Sequence, residues 1–106
     1  MIYLDYTANT PADPDVLDAY LAAERRYIAN PNSTHFAGQE ARAEMERVTQ
    51  SIAQHLGVQP AEIIYTSGAS EANNLALKGI AHASRHIGKH IISTQLEHSS
   101  VGASLS

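Results

Sequence analysis

"EIIYTSGASEANN", residues 62–74, decides how the chain is read. Ile63, Ile64 and Tyr65 make a short β-branched and aromatic run that predicts a strand, and the residues from Ser70 onward carry helical spacing. Between them Ser67, Gly68, Ala69 and Ser70 form a corner. A strand that turns directly into a helix leaves the N–H groups of the first helical turn without intrahelical partners, at the positive end of the macrodipole. Such an end attracts an anion. Gly68 lets a ligand approach the backbone, while Ser70 either caps the helix or offers its hydroxyl to a phosphate oxygen. The tetrapeptide leaves both roles open. It is neither a P-loop nor a dinucleotide fingerprint, because G-x-x-x-x-G-K-[ST] and G-x-G-x-x-G are both absent.

Working outward, Ile2, Tyr3 and Leu4 predict a short extended start. Asp13 followed by Pro14 is an N-cap with proline at the first helical position, and Val16, Leu17, Tyr20, Leu21, Tyr27 and Ile28 recur on one face, so helix one is expected over 14–28. "ANPNSTHFAG", 29–38, gathers Asn, Pro, Ser and Gly and predicts a long loop. Ala41, Met45, Val48, Ile52 and Leu56 follow at spacings of three and four and end at Gly57, predicting helix two over 38–56. A third helix is expected over about 70–86, stopped by Gly88. "HIIST", 90–94, predicts a second buried strand, and Ser99 opens another helix. The segmentation is 1–57 and 58–106.

Composition narrows the function. The 106 residues are 43% hydrophobic, which suits a folded globular chain. A net charge of -4, seven Lys plus Arg in scattered positions and 6% aromatics give no footprint for a nucleic-acid backbone or its bases. No cysteine is present, which excludes a disulfide framework, thiolate metal sites and a cysteine nucleophile within these residues. His82, His86 and His90 have a spacing that metals use, but a solvated helix face near a C-terminus accounts for them better, and no metal site is expected. No signal-like start and no apolar run of membrane-spanning length predict a cytoplasmic protein without a membrane partner. "EARAEMER", 40–47, reads as an exposed face with modest ion pairs.

Four motifs in order, "YLDYTANTP", "NPNSTHFAGQEAR", "EIIYTSGASEANNLALKG" and "GKHIISTQLEHSSV", resemble the N-terminal part of the cysteine desulfurases, pyridoxal-phosphate enzymes of the class V aminotransferase family. The resemblance is collinear from Ile2 to about Val101. It implies an α/β fold, the N-terminal fragment of a fold type I transferase: a small-domain segment with two helices and an active-site-bordering loop over 1–57, then the start of the large-domain sheet over 58–106. It implies that Gly68, Ala69 and Ser70 bind the phosphate of pyridoxal 5'-phosphate and that His98 stacks on the pyridine ring and assists proton transfers. A histidine beyond a strand's carboxyl end suits that work, since imidazole serves as acid or base near neutral pH. Glu97 reads as structural. The implied reaction moves sulfur from L-cysteine to an enzyme cysteine, leaving L-alanine, and then to a sulfur-acceptor protein for iron-sulfur or thio-cofactor synthesis. A homodimer or other self-association is expected.

Asn9 and Ser70 stand where the family usually has threonine; Ser70 keeps the hydroxyl. The family's cofactor-bonding lysine, pyridine-pairing aspartate, substrate-binding arginine and sulfur-accepting cysteine all fall downstream of the glutamate-histidine pair. Lys78 lies eight residues from Ser70, about 12 Å along a helix, and Lys89 lies roughly 17 Å of extended chain from the end where His98 sits. Neither replaces the missing lysine. The 106-residue chain alone is therefore expected to be inactive and not a stable monomer. A selenocysteine lyase of the same family and a non-catalytic docking fragment are the alternative readings.

Overall fold

The computed structural model describes residues 1–105. Its elements are four α-helices, α1 (Pro14–Arg26), α2 (Phe36–Leu56), α3 (Ala69–Ala83) and α4 (Ser99–Leu105), with a 3-10 turn at Pro60–Glu62. They fall into two compact units that divide between Ile63 and Ile64.

In the first unit the local sequence signals set each boundary. Asp13 caps α1 by accepting the Asp15 N–H at 2.9 Å, with Pro14 where a missing N–H costs nothing. The helix stops at Arg26, two residues before the expected end, because Tyr27 leaves helical dihedrals at φ -102 and ψ 63. α2 starts two residues earlier than expected. Its cap is His35, whose Nδ1 accepts the Gly38 N–H at 3.2 Å. At the other end Gly57 takes φ 69, and the N–H groups of Gly57 and Val58 reach back to Gln54 and Ala53 in a Schellman closure. The Asn30–Thr34 loop lies on the first turns of α2. Arg42 Nε donates to the Pro31 carbonyl and Gln39 Nε2 to the Thr34 carbonyl, both at 2.8 Å. Asn30 holds the loop's own turn by accepting the N–H of Asn32 at its side chain and that of Ser33 at its carbonyl. Gly38 is buried beneath this loop, and Arg26 reaches Glu40 at 2.9 Å to join the two helices by an exposed ion pair.

The second unit is built on α3. Gly68 is its N-cap residue, no side chain caps it, and it ends at Ala83 in a turn where Ile87 and Gly88 donate to the Ser84 carbonyl. α4 packs against α3. Ser100 and Ser104 are the buried residues of α4, and the Ser104 hydroxyl donates to the Ser100 carbonyl at 2.6 Å.

The expected α/β architecture is overturned. Among the described residues there is no β-strand, so the structure is helical and does not contain the start of a large-domain sheet. Ile2–Leu4, 63–66 and 90–94 carry the right residues for strands, but a strand exists only as one side of a ladder. Pairing joins none of these runs to another. Burial follows the same pattern: Ala41 and Ala53 are the buried hydrophobic residues, whereas Ile64, Tyr65, Ile91 and Ile92 are exposed. The α1 stripe of Val16, Leu17, Tyr20 and Leu21 is exposed as well.

Candidate functional site

The 62–74 corner opens α3. Gly68 sits at φ 164 and ψ 179, extended backbone that any residue adopts, and a Cβ added there would meet nothing within 4 Å. Among the described residues, therefore, neither conformation nor packing demands glycine at this position. Ala69 and Ser70 are the first two helical residues, so Gly68 rather than Ser70 takes the cap position. Its carbonyl accepts from Asn74 Nδ2 at 2.9 Å, and no side chain of the described residues engages its hydroxyl.

Glu71 organises the residues before the helix. Its Oε2 accepts both the backbone N–H and the hydroxyl of Ser67, each at 2.7 Å. These two donors favour the ionised form, the backbone N–H most, and hold the Glu71 carboxyl below the usual glutamate range. The carboxylate thereby occupies the two Ser67 donors, while Thr66 Oγ1 donates to the Gly68 carbonyl at 3.2 Å.

His98 caps α4. Its carbonyl accepts the N–H groups of Val101 and Gly102, and its Nδ1 accepts the Ser100 N–H at 3.2 Å. Nδ1 also lies 2.9 Å from Ser100 Oγ, which in turn accepts Asn73 Nδ2 at 2.9 Å. Asn73 is three residues beyond Ser70, about 4.5 Å along the helix axis. The structure thus links His98, through Ser100 and Asn73, to the helix that Gly68 caps and Ala69 and Ser70 begin. Glu97 accepts the Thr94 hydroxyl at 2.8 Å. Lys78 is an exposed residue farther along α3, and Lys89 lines a groove with Leu77, Ile80 and Ile91 beside the far end of that helix.

The reading of the sequence did not find Asn73, Ser100 or the Ser67–Glu71 pair. The signal for Ser100 was present as H-x-S at a helix start, a spacing at which a side chain reaches the second helical N–H. Asn73 carried none, because its partner is 27 residues away. Among the described residues no group of three or more His, Asp or Glu is placed to hold a metal, and no helix is long and apolar enough to cross a membrane.

Residues 2–104 match the family described as aminotransferase class-V. The chain belongs to that family, and its sequence and its structure both place it beside the cysteine desulfurases. It is 50% identical over 101 residues to the cysteine desulfurase of Homo sapiens, covering 94% of this chain and 22% of that protein. It is 42% identical over 100 residues to the cysteine desulfurase IscS of Dictyoglomus turgidum, covering 94% and 25%. A solved structure of a NifS-like protein superposes with a TM-score of 0.79 at 38% identity, covering 92% of this chain and 27% of that one. The chain spans about a quarter of the length of these relatives.

Proposed function

We propose that these residues are the phosphate-binding and proton-transfer portion of a pyridoxal-phosphate enzyme that takes sulfur from L-cysteine, leaves L-alanine and passes the sulfur to an acceptor protein. The observation that carries this reading is the link from Asn73 through Ser100 to His98, which joins a histidine to an uncapped helix N-terminus suited to an anion. The relatives' names support the choice of cysteine as substrate.

The residues fit the cofactor's phosphate. Among the described residues the first turn of α3 has no side-chain cap, no side chain engages the Ser70 hydroxyl, and Gly68 faces open space. Backbone N–H groups and the Ser70 hydroxyl would hold the phosphate, with the helix dipole favouring its charge. When bound, pyridoxal phosphate withdraws electrons from the substrate's α-carbon and makes the neighbouring bonds labile. His98 serves that chemistry at Nε2. Since Nδ1 accepts from Ser100, the neutral ring carries its hydrogen on Nε2 and would donate a hydrogen bond from there to the substrate.

The test is alanine formation from cysteine by the intact protein with pyridoxal phosphate. We expect His98→Ala to retain fold and cofactor but to lower alanine formation about 100-fold or more. Wild-type turnover in that variant would remove His98 from the reaction.

A further inference from the structure

We propose that Asn73 and Ser100 are positioning residues that set which nitrogen of His98 carries its proton. The inference rests on His98 acting in the reaction, as argued above, but its central measurement does not. An amide NH2 only donates, so Asn73 Nδ2 at 2.9 Å fills an acceptor position of Ser100 Oγ. With that side of the oxygen occupied, the hydroxyl hydrogen turns to the acceptor that remains, His98 Nδ1 at 2.9 Å. The Ser100 backbone N–H points at the same nitrogen from 3.2 Å. A ring nitrogen that accepts two donors carries no hydrogen, so the proton is on Nε2.

Burial makes this order durable. Ser100 is 9% exposed, which keeps water from competing for its hydroxyl, and Asn73 is half-buried beside it. Ser104 holds the Ser100 carbonyl within the turn. A helix cap alone would need only the Ser100 N–H. The hydroxyl and the amide on α3 are additional, and they add direction: the chain of donors runs from Asn73 to Ser100 to His98 and leaves Nε2–H as the outward group.

The test reverses that direction. Asn73→Asp keeps the side chain's shape but replaces the amide donor with an acceptor, so the Ser100 hydroxyl turns to the new carboxylate and presents its lone pair to Nδ1. In the intact protein, nitrogen NMR of labelled histidine should show a single Nε2–H form of His98 in the wild type and a substantial Nδ1–H fraction in Asn73→Asp, with alanine formation about tenfold lower. Adding Ser100→Ala to that variant removes the relay and should restore the Nε2–H form, which a merely structural role for Asn73 would not do. Should Asn73→Asp fail to fold, a hydrogen-bond coupling from the Ser100 hydroxyl proton to His98 Nδ1 in the wild type reads the same direction, and its absence overturns the proposal. An unchanged Nε2–H form in every folded Asn73 variant overturns the proposal even if His98→Ala is inactive. Full turnover in His98→Ala instead overturns the role of His98, whatever the NMR shows. A reversed proton order with unchanged turnover overturns the claim that the order serves the reaction.

Discussion

Ser67 and Glu71 bring a pH dependence to the start of α3. Because the Glu71 carboxyl is held below the usual glutamate range when folded, its contribution is fully present above that range and fades as the pH falls through the lowered value. A carbon-detected titration of Glu71 should give a midpoint below that of an exposed glutamate, and Glu71→Gln should remove the acid-side change at the Ser67 N–H; an ordinary midpoint would contradict the pairing. Gly68 and Ser70 separate ligand from fold. Gly68→Ala meets no atom of the described residues, so melting should be unchanged while pyridoxal-phosphate affinity falls. Ser70→Ala should weaken cofactor retention by about 1 to 2 kcal/mol, the loss of one hydrogen bond to a charged group. Equal affinity in both variants, by cofactor titration, would return the corner to a plain helix start. Much of this was legible in the sequence, since "SGAS" before a helix announces open N–H groups. Which residue was the cap was not legible, because a shift of two positions decides it and Gly68 takes the place.

Among the elements, three glycines with different surroundings test the helix account. At Gly38 an added Cβ would fall 2.5 Å from the Ser33 carbonyl oxygen and 2.9 Å from that of Asn30, so the loop that crosses α2 must lift. Gly38→Ala should cost about 1 to 3 kcal/mol, as overpacking does. Gly57→Ala should cost about 1 to 2 kcal/mol, since φ 69 disfavours a side chain although nothing lies nearby. Gly79→Ala, inside α3 with open space around it, should stabilise by roughly 0.5 to 1 kcal/mol. Thermal and denaturant unfolding of the intact protein checks all three, and an unaffected Gly38→Ala would mean that the loop does not rest on α2. The four α-helices were legible because capping and 3.6-residue periodicity are local, although α3 ends at Ala83 rather than near 86 and the 3-10 turn at Pro60–Glu62 was not expected. The strands were misread for the complementary reason: "EIIYT" and "HIIST" record a preference for a pleated, half-buried surface, and the neighbour that makes a ladder is not written in the run itself.

For the molecule as a whole, surface area states the problem that the chain leaves open. It exposes 9299 Å². A single compact protein of this mass would expose about 5,800 Å², and two separate compact units of half the mass about 7,000 Å² together. Exposed apolar side chains include the α1 stripe and Ile64, Ile80, Ile91 and Ile92. The 106-residue chain in isolation should therefore self-associate, with light scattering giving a mass above 11.4 kDa. A sharply melting monomer would contradict that expectation. The central claim is that the first turn of α3 holds the cofactor's phosphate while His98 works beside it, and a crystal structure of the intact protein with pyridoxal phosphate tests it most directly. The account predicts phosphate oxygens about 3 Å from the Ser70 hydroxyl and from backbone N–H groups of the Gly68–Ser70 turn, with His98 Nε2 facing the cofactor. A phosphate held elsewhere, beyond hydrogen-bond reach of Gly68, Ala69 and Ser70 alike, would contradict it.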